Sequence, residues 1–377
     1  MIFDGILDIA ILLAILVGLV LVHELGHFIM ARRAGVKVHE FGIGFPPRAA
    51  ILHRGKETLY TLNWLPIGGF VRLEGEEGES VDPRAFVNQR LGTRLRILLA
   101  GVVINFLLAW LIFTLIAMLA DPVTNVRIGT VAPGSPAAAA GLVGSDVGYV
   151  PGKGVEYDAS GDEIVGIDGQ RFPVFDGVAA PANGATRPPP LQYLADRPGE
   201  TVVLSVRHAD GGVEDIEVTL RPAAEILTHG ALGVRIIALP QEDITRGPVE
   251  AAVIGFTRTI EASTLILRGV AELITNLANP PVAGPVGIVG IVGEVRTELP
   301  PVFLIWLIGL LSANLAVINA LPFPPMDGGR VAVALIKAAS GNRLSTATER
   351  AVYLTGFVML MALLVWVTAQ DIGRLVG

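Results

Sequence analysis

ILDIAILLAILVGLVLVHELGHFIM, Ile6 to Met30, decides the reading of this chain. A helix crossing the hydrocarbon of a bilayer needs about 20 predominantly apolar residues, and this run has that length. Late in the run stand His23, Glu24 and His27. In a helix, positions i and i+4 differ by only about 40° around the axis, so both imidazoles point the same way. They can hold one zinc ion, with Glu24 beside them to take a proton from an attacking water. Such polar groups inside an apolar run are costly unless they face a partner or a cavity. No basic residue precedes Arg32 and no cleavage pattern is evident, so the segment reads as a retained span, not a signal peptide.

The rest of the composition agrees with a membrane protein. Of 377 residues, 52% are hydrophobic and only 17% charged, against roughly 25% charged in soluble domains. Three further stretches are long and apolar enough to span: Ile97 to Ala120, Leu299 to Met326 and Ala351 to Ala369. Residues 249–278 carry Glu250, Arg258, Glu261, Arg268 and Glu272, and read as an amphipathic helix on the membrane surface. Basic residues set orientation. Residues 31–96 hold 11 Lys and Arg against 7 acids, while 121–298 hold 12 against 22. The short stretch 327–350 has 4 basics and 2 acids. Four spans, with 31–96 and 327–350 cytoplasmic and both termini outside, satisfy these counts. The net charge of −7 gives a nucleic-acid partner no electrostatic support. The absence of cysteine excludes disulfides, thiolate metal sites and a cysteine nucleophile.

The sequence divides into four regions. Residues 1–120 carry the first two spans and a β-hairpin region at 37–74, bounded by Pro46-Pro47 and by Gly68-Gly69. Residues 121–248 form a β-rich soluble domain, with strands at Thr201 to Arg207 and Val213 to Leu220 around an Asp210-Gly-Gly212 turn. Gly144 to Gly161 and Gly177 to Pro190 read as loop insertions. Residues 249–298 hold the amphipathic helix and a Gly-Pro segment, and 299–377 the last two spans.

A catalytic zinc usually takes three protein ligands and keeps one position open. Asp327 is the outstanding candidate for the third. It ends the run Asn319-Ala-Leu-Pro-Phe-Pro-Pro-Met-Asp-Gly-Gly329, in which three prolines break the helix and two glycines permit a tight turn. In the four-span topology, Asp327 and the two histidines meet at the same depth. A fifth span at 249–278 would put Asp327 on the opposite side.

With these residues in view, the chain resembles the intramembrane metalloproteases of the site-2 protease family, and most closely the bacterial members with one PDZ domain between the second and third spans. His23-Glu-Leu-Gly-His27 matches the zinc helix. Gly42-Ile-Gly-Phe45 and Gly68-Gly-Phe-Val71 resemble the membrane-associated β-region. Phe86 to Gly92 and Ala100-Gly-Val-Val-Ile-Asn105 resemble the start of the second span. Gly284-Pro-Val-Gly-Ile288 and Asn314 through Gly329 resemble the segments around the third. Gly129 to Ala137, Ala140-Gly-Leu142 and Gly161 to Val165 are similar to PDZ elements.

The resemblance implies a polytopic α-helical membrane protein of four transmembrane helices, a membrane-associated β-hairpin region and an inserted β-rich PDZ domain. It implies Zn2+ held by His23, His27 and Asp327, with Glu24 catalytic. It places Asn319 near the substrate backbone and Gly68 and Gly69 in the substrate-binding β-region. The expected substrates are single-span membrane proteins, such as anti-sigma factors or signal-peptide remnants, cut within or next to the membrane in regulated intramembrane proteolysis. The expected setting is the bilayer of a bacterial inner membrane, with the PDZ domain extracytoplasmic and open to peptide C-termini. A substrate helix must unwind to be cut, and the hairpin is expected to take it as an added strand along Thr58 to Leu62. Two other readings fit parts of the pattern: a catalytically inactive membrane-anchored PDZ scaffold, and a metal transporter. Neither explains Glu24 adjacent to His23, and a transporter has no need of a large outer β-domain.

Overall fold

The computed structural model describes residues 2–76, 78, 80–150, 154–158, 160–175, 189–275, 283–341 and 345–376. In chain order the first elements are α1 (Ile2–Arg33), β1 (Val38–Arg54), β2 (Leu59–Leu73), α2 (Leu91–Leu119), β3 (Asp121–Thr124) and β4 (Val126–Val131). There follow α3 (Pro136–Ala139), β5 (Val147–Val150), β6 (Gly154–Tyr157), β7 (Glu163–Ile167), α4 (Pro189–Ala195), β8 (Thr201–Arg207) and β9 (Val213–Thr219). The chain continues through α5 (Ala223–His229), β10 (Val234–Ala238), β11 (Gln241–Ile244) and α6 (Pro248–Thr275). It ends with α7 (Pro285–Glu298), α8 (Pro301–Ala320), α9 (Asp327–Ala339) and α10 (Thr346–Val376). Two compact units result: residues 1–116 with 252–377, and residues 117–251.

In the first unit, four helices are long and apolar enough to cross a membrane: Asp4–Arg33, Leu91–Leu119, Pro301–Ala320 and Thr346–Arg374. Their bounds differ from the sequence reading in one way that matters. The third was expected to run to Met326, but the helix stops at Ala320. Pro322, Pro324 and Pro325 cannot donate backbone hydrogen bonds, so the ladder ends before them. The chain turns and restarts as α9, with Asp327 in its first turn. α9 occupies the first half of residues 327–350. The segment after Gly284-Pro285 is likewise a helix, α7. Its glycines diluted the helical signal. α7 is held by Asp371, whose Oδ2 accepts the Gly287 N–H at 2.8 Å, and by Arg296, whose Nε donates to Asp8 Oδ1 at 2.7 Å.

The β-region of this unit is a two-strand pairing that folds into four segments. β1 bends at Pro46-Pro47 and β2 at Pro66 to Gly68. Residues 40–43 pair on one side with 59–62 and on the other with 69–72. Residues 59–62 pair also with 50–54. The order across the sheet is therefore 48–54, 59–63, 40–43, 69–73. Glu40, Thr61 and Asn63 are buried within it. Glu40 accepts from Arg48 at 2.8 Å and from Thr61 at 2.8 Å. This corrects the expected docking strand. Thr58 to Leu62 is flanked on both sides from Leu59 on, and has no free hydrogen-bonding row for a further strand. Among the described strands the outer segments are 48–54 and 69–73, with the Leu73 N–H donated to Glu76 Oε2 at 3.3 Å.

The second unit is a five-stranded sheet in the order β10-β4-β7-β8-β9, with β3 and β11 paired separately. Val126 and Ile128, and Val202, Leu204 and Val206, alternate inward; Ile164 and Ile167 join them across a register shift in β7, and Leu194 and Leu232 pack on them. The Asp210-Gly-Gly212 turn joins β8 to β9 in antiparallel register. Within the Gly144 to Gly161 stretch, read as a loop, β5 and β6 form a hairpin. The Gly177 to Pro190 insertion lies outside the described residues except for its last two, which open α4. The unit's ends meet, since Asn125 N donates to Pro240 O at 2.9 Å.

Candidate metal centre and active site

α1 and α2 touch where the motif lies, because each helix turns a glycine toward the other. A Cβ on Gly26 would stand 2.5 Å from the Ala100 carbonyl oxygen. A Cβ on Gly101 would stand 2.5 Å from His27 Nε2 and 2.7 Å from His23 Nε2. Real side chains do not tolerate such distances, so only glycine at 101 leaves both ring nitrogens room.

Asp327 arrives from the other side. Its turn is tight enough that a Cβ on Gly328 would lie 2.2 Å from Ala320 O. A carboxylate in the first turn of α9 is also favoured by the helix dipole. The result is a triangle of atoms. Asp327 Oδ2 lies 2.9 Å from His23 Nε2 and 3.2 Å from His27 Nε2. The two Nε2 atoms are 3.1 Å apart. All three residues are at least nine-tenths buried.

This donor set suits zinc. Bonds of about 2.0–2.1 Å in tetrahedral geometry place neighbouring ligand atoms about 3.3 Å apart. The three separations fall close to that value. The protonation pattern points the same way. His27 Nδ1 donates to the Ile97 carbonyl at 2.8 Å, and a carbonyl only accepts. A neutral His27 ring therefore presents a bare Nε2 lone pair to the triangle. It meets a carboxylate oxygen there, an arrangement that a shared cation resolves. Two imidazoles and one carboxylate leave a fourth position open, as catalytic zinc sites do.

Glu24 is half-buried, and its carboxylate lies within 4.8 Å of the ligand atoms of both histidines. Gly69 is next to it: a Cβ there would lie 3.8 Å from Glu24 Cγ and 2.9 Å from Leu21 Cδ2. Gly68 has φ +74° and packs at the bend beside Phe45 and Val20. Asn319, on the last turn of α8, donates its amide to Leu315 O at 2.9 Å. The described contacts thus join His23, Glu24, His27, Asp327 and Gly69, and leave Asn319 bonded to its own helix.

The sequence reading missed the α2 wall of the site. Its contributions are a backbone carbonyl (Ile97), an absent side chain (Gly101) and one amide (Asn105). Only Asn105, an amide in a charge-free span, carried a sequence signal. The reading also missed Arg330, whose guanidinium donates to Glu76 Oε1 at 2.6 Å one turn beyond Asp327.

The model of the family described as Peptidase family M50 matches residues 11–363. A Clostridium perfringens protein provisionally designated a zinc metalloprotease is 32% identical over 356 residues, covering 94% of this chain and 95% of its own. The zinc metalloprotease RasP of Geobacillus kaustophilus is 27% identical over 437 residues, covering 94% and 95%. RasP of Oceanobacillus iheyensis is 26% identical, covering 95% and 96%.

Proposed function

The chain belongs to peptidase family M50, the site-2 proteases, and is a multi-pass membrane zinc metalloprotease; from that premise we propose that it cuts single-span membrane proteins within or next to their membrane segment, with Glu24 as the base and His23, His27 and Asp327 as the zinc ligands.

The position of the site along its two helices, close to their basic ends, is the observation that carries this reading. His27 lies five residues before Arg32, and Gly101 five residues after Arg96. At 1.5 Å per residue, both sit about 7.5 Å inside the basic end of their helix. Basic ends of spans anchor at the interface, with their charged heads in the polar layer. The catalytic groups are then inside the hydrocarbon boundary, on the side rich in Lys and Arg, which the charge counts make cytoplasmic. On this reading the bilayer is a bacterial inner membrane, and both termini and the inserted β-domain are extracytoplasmic.

When bound, zinc supplies polarisation of the scissile carbonyl and acidification of the attacking water. Glu24 takes the proton from that water and returns it to the leaving nitrogen. His27 is held in its ligating tautomer by Ile97 O.

The scissile bond must leave its helix to reach these groups. The outer edge at 69–73 begins at Gly69, beside Glu24, and is where an extended substrate segment would add as a strand. A cavity of about 740 Å³ lies over the sheet, reaching from Arg48 and Asn63 across Glu40 to Phe70, Glu76 and Arg330 at that edge. Phe45, Trp64 and Leu65 at the bends are exposed, an apolar tip suited to lipid. Anti-sigma factors and signal-peptide remnants fit such a site, as short membrane helices with one accessible end. Proline at Phe70 or Val71 should lower cleavage of a single-span substrate in liposomes at least tenfold, because one of the two removes an outward donor. Leu52→Pro on the far edge should leave it near the unmodified rate. Full cleavage by both edge variants would remove the strand-addition step.

The inserted unit is proposed as a PDZ domain open to peptide C-termini. The Ala231-Leu-Gly-Val234 turn leads into β10, whose only sheet partner among the described strands is β4. It would act as a filter that admits substrates already trimmed outside. Since Asn125 and Pro240 adjoin, residues 126–238 can be replaced by a short glycine linker. The expected outcome is cleavage of untrimmed substrates as well as trimmed ones. Unchanged selectivity would refute the filter.

A further inference from the structure

Ile97, Gly101 and Asn105 are spaced four apart and form one stripe on α2. The first two hold and make room for the histidines, as described. Asn105 is fully buried in the same stripe, and its amide lies 3.4 Å from His23 Nδ1. That amide is the one described partner of His23 Nδ1. Its backbone carbonyl accepts the Ser312 hydroxyl at 2.8 Å, which ties this turn of α2 to α8.

Two observations at Asn105 belong together. The amide atom placed nearest His23 is Nδ2, and Oδ1 is buried with no hydrogen-bond partner. The oxygen and nitrogen of an amide have nearly the same shape, so their assignment follows the hydrogen-bond network. With Nδ2 toward the ring, His23 Nδ1 must accept, and the ring's proton sits on Nε2. That tautomer suits the metal-free triangle, in which Nε2 donates to Asp327. It cannot ligate zinc through Nε2. Ligation requires the proton on Nδ1, and an acceptor to receive it. Turning the amide over supplies that acceptor with the otherwise orphaned oxygen.

We propose that Asn105 is a positioning residue of the metal centre: its side-chain oxygen accepts the Nδ1 proton of His23, as Ile97 O does for His27, and thereby presents His23 Nε2 bare to zinc. The inference rests on the zinc-site reading above. It makes the two ligating histidines equivalent, each fixed by an α2 acceptor. Outer partners of this kind are worth about 10–100-fold in metal affinity.

The test is a zinc titration of the full chain in detergent against a chelator of known affinity, with thermal melting of the metal-free protein alongside. Unmodified protein should bind about one zinc per chain. Asn105→Ala should weaken binding about 10–100-fold, with the metal-free melting temperature within a few degrees of unmodified. Asn105→Asp, which keeps an acceptor and loses the amide donor, should bind within about threefold of unmodified or tighter. Unweakened binding by Asn105→Ala overturns the proposal. So does an equal loss in both variants, because an acceptor would then not be what the site needs. Should the alanine variant fail to fold, Asn105→Asp decides alone: a loss of tenfold or more overturns the proposal. No zinc on the unmodified protein would instead overturn the metal-site reading itself, and the inference with it.

Discussion

Glu24→Gln is expected to abolish cleavage of a single-span substrate while leaving about one zinc bound per chain. Glutamine keeps the size and hydrogen-bonding reach of the side chain but cannot accept a proton from the attacking water. Removing a general base costs about 10²–10⁴-fold. Glu24 lies beside the triangle of ligand atoms and is not one of its corners, so the metal should stay. Cleavage and zinc content measured on the same preparation separate the two roles. Cleavage by the glutamine variant at the unmodified rate would sink the base assignment. Loss of zinc together with activity would make Glu24 a ligand.

Asp327→Ala should do the opposite, removing zinc and cleavage together. Asp327 Oδ2 is within 3.2 Å of both histidine Nε2 atoms, and its loss leaves two imidazoles without the carboxylate that completes the triangle. The affinity loss should exceed the about 10–100-fold typical of residues that only support a ligand. Elemental analysis after passage over a chelating resin would read it out. A variant that kept its zinc through that step would show that the third ligand lies elsewhere. The contrast with Glu24→Gln is the useful part. One variant is inactive with metal, and the other is inactive without it.

Much of this site is legible in the sequence, because its groups announce themselves by being expensive where they stand. His23, Glu24 and His27 sit in an apolar run at helical spacing. Asp327 follows three prolines that must end a helix. The α2 wall is less legible for a physical reason. A backbone carbonyl and a missing side chain at Ile97 and Gly101 leave no chemical trace in the residue names. Asn105 does leave one, and its role emerges only when its distance from His23 is known.

The β-region shows a different limit. Alternation marked 37–74 as strands, and the structure has β1 and β2 there. Alternation says nothing about which segment lies at an edge. That depends on both strands bending at their prolines, which doubles the pairing of 40–43 and of 59–62 and leaves 69–73 outermost. α7 was missed for a third reason. Gly287, Gly290 and Gly293 lower its intrinsic helicity, and it is stabilised by partners distant in sequence, Asp371 and Asp8.

One zinc held by two histidines of α1 and the aspartate that opens α9 has a distinct signature in X-ray absorption at the zinc K-edge of the purified protein: nitrogen and oxygen neighbours at about 2.0–2.1 Å, with outer scattering from two imidazole rings. In His23→Ala and in His27→Ala the zinc should be weakened or lost, and any zinc that remains should scatter from one ring only. A first shell with no imidazole contribution, or one unchanged by either substitution, would contradict it.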